Sequence, residues 1–437
     1  MASPMQANLD STGIRDRMIT GPCRMLLCGD SICEPLNPAR FYSGLLRIME
    51  GPALRGLILG GGIHVPAGAG YLVEDRPVVN VSKQTLDPDE AGNFSAAVNI
   101  LPTSREEYLF AASAATDDDM YRVQADDNLK TGGLYEYAAF GDWIEGQNMT
   151  HTLIYLQHAD GVDSLALRNF RQETGAGFTV TGTNDTTFST SGTTALAKVS
   201  IDLDSTTTGD WLEYGSQVYT PASSPASGKG FIPYANHLYV RDATDGIHIG
   251  SLSRSGLRSA GYLAAMDLTS LTNYILWTKA DTFFLTLGTN DGTDDIAAAT
   301  YGTNIEAIID RFVTASAAAR ALDGSILVPK FCLVAMYASG GGTPRTKMGD
   351  YADTLYAISQ SNCYSDKAAF INLYRAMGSS SVIGEFHLAD STHPSEEGSL
   401  AFTSAIMSQV YGPTIEDMVT SQRFGRTPPG RLTVDRL

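Results

Sequence analysis

The chain has 437 residues, of which 43% are hydrophobic and 18% charged, with a formal net charge of -18. That length exceeds what one core usually organises, and so acidic a surface repels phosphate backbones, which argues against nucleic acid as a partner. No run of about 18 apolar residues occurs, so no membrane span is expected.

Asp10, Arg15, Asp16 and Arg17 interrupt the N-terminal stretch, which therefore lacks the basic-then-apolar pattern of a signal peptide. Classical secretion is not expected. Five cysteines follow along the chain: Cys23, Cys28, Cys33, Cys332 and Cys363. Their spacing matches no metal-ligand pattern, and the odd count argues against a disulfide framework.

Texture divides the chain at about residues 62 and 245. In 1–62, an apolar run from Cys23 to Cys28 reads as a buried strand that ends in Gly29-Asp30-Ser31. Phe41, Leu45, Leu46, Ile48 and Met49 then fall on one helical face, and Leu57–Leu59 reads as a short strand. Residues 63–245 are rich in Thr, Ser, Gly, Asn and Asp, with short alternating runs such as Thr150–Gln157 and Ala197–Leu203. Turn clusters such as Thr181–Asp185 separate them, which predicts an antiparallel β-sandwich or jelly roll. Residues 246–415 alternate strand and helix. Strands are expected at Ile247–Ser251, Phe283–Leu287, Ser325–Met336 and Phe370–Leu373. Helices are expected near Asn304–Ala321, Asp350–Gln360 and Glu396–Val410. Such alternation builds a mostly parallel sheet covered on both faces. Residues 416–437, with Pro428 and Pro429, read as a C-terminal tail. The first and third regions together complete one α/β domain, interrupted by an inserted β domain.

Three short segments carry chemistry. Ser31 stands at the carboxyl end of a strand, where open α/β sheets place their ligands. Its hydroxyl needs a base to become a nucleophile. Asp390-Ser391-Thr392-His393-Pro394 precedes the last helix, and an Asp three residues before a His can turn back to hold the ring. Pro394 suits the start of that helix, and a simple capping turn is the plain alternative for this segment. Gly288-Thr289-Asn290-Asp291-Gly292 ends an apolar strand, where an Asn amide could donate to a developing oxyanion. A β-turn is the plain alternative there.

Taken in chain order, Gly29-Asp30-Ser31, Gly288-Thr289-Asn290-Asp291 and Asp390-Ser391-Thr392-His393-Pro394 resemble blocks I, III and V of the SGNH (GDSL-like) hydrolase family, over the first ~60 and last ~190 residues. The resemblance implies a three-layer α/β/α fold and a catalytic triad of Ser31, Asp390 and His393. It implies an oxyanion hole made by the backbone N–H of Ser31, the side chain of Asn290 and the N–H of a block II glycine. That glycine is assigned to Gly256, displaced beyond the insertion, with Gly250, Gly261 and Gly60–Gly62 as rivals. Asp291 is expected to tie down the Asn290 loop. No cofactor and no metal are implied.

The inserted sandwich is similar to arrangements in carbohydrate acetylesterases and phage tail-spike deacetylases. That similarity implies an acetylated glycan or small ester as substrate and a homotrimer if the chain is a tail spike. The missing signal pattern fits a virion-associated (tail) or cytoplasmic location, otherwise an extracellular one reached by a non-classical route. Tyr135, Tyr137, Trp143, Tyr155, Trp211, Tyr214 and Tyr219 could stack on sugars, although core packing is the simpler reading for each. Two other readings stay open: a catalytically silent binding module on the same scaffold, and a general lipase or thioesterase.

Overall fold

The computed structural model describes residues 3–20, 22–33, 45, 62–66, 73–75, 81–86, 105–110, 119–126, 148–173, 178–179, 185–204, 211–219, 230–240, 247–338, 347–377, 388–390 and 392–411. Of the helix expected around Phe41–Met49, only Leu45 is among them, helical and buried. The strand expected at Leu57–Leu59 and the C-terminal tail lie outside the described residues. The chain forms two compact units, Met1–Gly61 with Thr244–Leu437, and Gly62–Ala243.

Among the described residues, the first unit is built on six strands: β1 (Gln6–Ala7), β2 (Cys23–Gly29), β3 (Ile247–Ser253), β4 (Thr282–Leu285), β5 (Lys330–Ala335) and β6 (Ala368–Asn372). Their order is β1-β6-β5-β4-β2-β3. The last five are mutually parallel, and β1 adds an antiparallel edge. Taken in chain order, the parallel strands run 2-1-3-4-5, a doubly wound arrangement whose switch point lies between β2 and β4. β2 reads Cys-Arg-Met-Leu-Leu-Cys-Gly and is buried except at Arg24. A near-continuous apolar run is what a parallel strand covered on both faces requires. β3 is equally buried although it carries His248, Ser251 and Ser253. The two serine hydroxyls are satisfied locally: Ser251 Oγ lies 3.2 Å from the Cys33 carbonyl oxygen and 3.0 Å from Ser253 Oγ, which in turn lies 3.4 Å from the Leu27 carbonyl oxygen.

Helices cover the sheet in two layers. One holds α2 (Ser259–Ala264), α3 (Leu268–Thr278), α5 (Ala298–Leu322) and α6 (Met348–Gln360). The other holds α1 (Ile14–Thr20) and α8 (Glu396–Tyr411). The short helices α4 (Thr289–Thr293) and α7 (Leu373–Met377) follow β4 and β6. Phe283 on β4 and Phe331 on β5 pack against Phe312 of α5, with ring centroids 4.4 to 6.3 Å apart. The sheet and helices sit close to where the sequence puts them. The strand expected from Ser325 begins only at Lys330, because Gly324–Pro329 form the loop out of α5.

The described residues of the second unit form two antiparallel sheets. In one, Gly230–Val240 pairs with Asn148–Gln157, which pairs in turn with Ala195–Asp204. Its other edge meets Gly62–Pro66 and Arg105–Phe110. In the other sheet, Trp211–Tyr219 lies between Leu165–Glu173 and Asp119–Asp126. The ring of Phe188, from the second sheet, sits 4.9 Å from that of Tyr155 and 6.2 Å from that of Phe231, both from the first. Tyr155 and Tyr219 are buried, so these two of the singled-out aromatic residues belong to the core. Tyr135, Tyr137 and Trp143 lie outside the described residues.

Candidate active site

β2 ends at Gly29, and the chain turns at once, closed by the Cys33 N–H donating to the Asp30 carbonyl at 3.0 Å. Ser31 sits in this turn at the switch point of the sheet. Gly29 permits the close approach of β2 and the chain after β4. A Cβ there would fall on the Thr286 hydroxyl and crowd Cys33. That hydroxyl lies 2.8 Å from the Cys33 sulfur and donates to the Cys28 carbonyl at 3.2 Å. Asp30 is fully buried. Its carboxylate accepts from the Ile32 N–H at 3.1 Å and from the Asn290 amide at 3.3 Å.

The segment before α8 is wound tightly. Leu388 and Pro394 form a β-bridge, and the Ala389 N–H donates to the His393 carbonyl at 2.8 Å. Asp390 Oδ1 accepts from the backbone N–H groups of Thr392 and His393, both at 2.7 Å. Asp390 Oδ2 lies 2.7 Å from His393 Nδ1, and His393 Nε2 lies 2.9 Å from Ser31 Oγ. Partial burial alone would raise the Asp390 carboxylate. The hydrogen bonds from the His393 backbone and ring and from the Thr392 N–H outweigh it and hold the group at about 2. An ionised Asp390 keeps the proton of the neutral ring on Nδ1, which leaves Nε2 as the acceptor facing the serine hydroxyl. Capping of α8 falls to Ser395, whose hydroxyl accepts from the Gly398 N–H at 3.0 Å. Pro394 therefore precedes the cap and does not open the helix.

Asn290 lies in α4, directly beyond β4. Its amide donates to Asp30 and, at 3.1 Å, to the Leu257 carbonyl, so both amide hydrogens have protein acceptors in this state. Asp291 turns the other way: its carboxylate accepts from the Ser259 N–H at 2.9 Å and hydroxyl at 2.6 Å, which ties α4 to the start of α2. Gly256 occupies a left-handed turn, φ +74°, spanned by a 3.5 Å bond from the Leu257 N–H to the Arg254 carbonyl. The Arg254 N–H donates to the Gly29 carbonyl at 3.2 Å, which brings the Gly256 turn beside the one that carries Ser31. Of the rivals, Gly250 is inside β3 and Gly261 inside α2, while Gly62 belongs to the second unit. Gly60 and Gly61 lie outside the described residues, as does His387.

No family model matches the chain, and no curated protein does. Three solved structures similar to it differ widely in extent. A peptidoglycan O-acetylesterase shares 11% identity over 96% of this chain and 100% of its own, at a TM-score of 0.49. The Bacillus subtilis protein YXIM shares 11% identity over 83% of this chain and 90% of its own, at 0.31. A carbohydrate acetylesterase from Sinorhizobium meliloti shares 16% identity over 38% of this chain and 78% of its own, at 0.29. The 2-1-3-4-5 sheet puts Ser31 after its first strand and Asn290 after its third, with Asp390 and His393 just ahead of the last helix. The fold is the three-layer α/β/α arrangement that the sequence resemblance implies. Within the first unit, the contacts of Tyr337 and Asp30 join residues far apart in the chain and leave no local signal in the sequence. Tyr337 donates to the Thr392 carbonyl at 2.6 Å, and its ring lies 4.3 Å from that of Phe402 on α8. Among the described residues, no group of three or more His, Cys, Asp or Glu could hold a metal ion, and no helix is long and apolar enough to cross a membrane.

Proposed function

We propose that this chain is a serine ester hydrolase that works through an acyl-enzyme on Ser31. The observation that carries this reading is the unbroken chain of contacts from Ser31 Oγ through the His393 ring to Asp390, at 2.9 and 2.7 Å. His393 Nε2 takes the hydroxyl proton as Ser31 Oγ attacks the ester carbonyl. The same nitrogen returns it to the departing alcohol. A water then repeats the sequence in reverse and releases the acid. Asp390 stays ionised and stabilises the imidazolium that forms between the steps. The oxyanion is received by the Ser31 N–H, with the Gly256 turn and Asn290 beside it. Asn290 must release the Leu257 carbonyl to donate there, a local change that substrate binding would supply.

For the substrate, the reading is an O-acetyl group on a carbohydrate. Its support is the second unit, a pair of antiparallel sheets apart from the unit that carries Ser31 and His393, and a net charge that favours a neutral ligand over a polyanion. The test is acetate release from acetylated polysaccharides, alongside p-nitrophenyl acetate and a long-chain ester. Wild type is compared with Ser31→Ala and His393→Ala. Activity lost in both variants, with folding intact, supports the hydrolase. A wild type that cleaves only long-chain esters removes the carbohydrate assignment. A wild type inactive on all of them removes the enzyme.

A further inference from the structure

The Thr392–His393 peptide group is held at both ends. Its N–H donates to Asp390 Oδ1 at 2.7 Å. Its C=O accepts from the Tyr337 hydroxyl at 2.6 Å. These two atoms belong to one rigid plane, and that plane sets the direction in which the His393 side chain leaves the backbone. Tyr337 is fully buried, just past the end of β5, and its ring packs on Phe402 of α8. Its hydroxyl therefore projects from the sheet side, whereas Asp390 belongs to the loop itself. A donor on the carbonyl also polarises the amide, so the N–H that Asp390 accepts becomes the stronger partner.

We infer that Tyr337 is a positioning residue for the hydrolysis proposed above: its hydroxyl fixes the Thr392–His393 peptide plane so that His393 Nε2 meets Ser31 Oγ. It touches no reacting atom. Asp390 alone holds the loop to itself; Tyr337 holds the loop to the sheet that carries Ser31. Without the hydroxyl, the loop keeps its internal bonds but can pivot as a unit, and the ring nitrogen drifts from the serine. A displacement of about 1 Å is enough to cost up to about 100-fold in rate.

The test is Tyr337→Phe, which removes one oxygen and keeps the ring on Phe402. With p-nitrophenyl acetate, kcat is expected to fall by about 10- to 100-fold with KM unchanged. In parallel, the low-field proton resonance of His393 Nδ1–H is expected to broaden or shift, a signal that depends on the ring contacts and not on turnover. Ile309→Val, in the buried face of α5, serves as the control for stability alone. It should lower the melting temperature and leave both kcat and the resonance in place. Tyr337→Phe with normal kcat and an unaltered resonance overturns the inference. So does a variant that loses only melting temperature. If the wild type proves inactive on every ester, the resonance still reports whether Tyr337 positions His393, so the two readings fail separately.

Discussion

At the residue scale, the site rests on groups whose partners are fixed before any substrate arrives. Asp390 spends one oxygen on two backbone N–H groups and the other on the ring. Its folded pKa, about 2, lies below the ordinary carboxylate value near 3.9. The sign follows: the contacts contribute above pH ~4 and are lost as pH falls through about 2. We expect the pH profile of kcat/KM in wild type to show no inflection from Asp390 between pH 4 and 9. Asp390→Asn should lower kcat by several orders of magnitude while moving the melting temperature little, since the residue lies mostly at the surface. A pH–rate titration paired with thermal melts measures both. Gly29→Ala makes a different prediction. The new methyl must displace the Thr286 hydroxyl or the Cys33 side chain, so stability should drop by about 1–3 kcal/mol. Activity should drop with it, because the Ser31 turn begins there; denaturant unfolding and esterase assay on one preparation would show whether the two losses travel together.

At the element scale, the sheet sets the positions and the short helices lock them. Asp291 joins α4 to α2 through two buried bonds to Ser259, and Asn304 adds a third at 2.9 Å. Asp291→Ala leaves the Ser259 N–H and hydroxyl without that acceptor. We expect a loss of about 1–3 kcal/mol for the unsatisfied groups, read by urea unfolding, with a smaller effect on KM than on stability. Much of this layer was legible in the sequence, for a plain reason. The three chemical segments sit where strands end, and the strands announce themselves as apolar runs. The helix α3 has a quieter signal, Asp267 ahead of Leu268, Leu271 and Ile275, realised as a cap by its bond from the Ser270 N–H at 2.8 Å. Tyr337 and the Asp30–Asn290 bond had no local signal at all. Their partners lie 55 and 260 residues away along the chain. Only the folded sheet brings them together.

At the scale of the whole molecule, each unit carries a core of its own. The first is ordered around Phe283, Phe312 and Phe331, the second around Tyr155, Phe188 and Phe231. Separate cores predict that thermal unfolding departs from two-state behaviour, with a calorimetric enthalpy larger than the van't Hoff value. A single transition with matching enthalpies would show one cooperative body. The order of strands in the first unit has a further consequence, for the growing chain. β2 precedes the second unit, yet both of its neighbours in the sheet, β3 and β4, follow it. Ser31 must then wait for a His393 that follows 362 residues later. At ribosomal speeds that delay is about 20–70 s. Until residues 247–285 are made, the apolar strand β2 has neither edge paired, which makes the nascent chain a natural client for chaperones, and the Ser31–His393 contact can form only once His393 has been made.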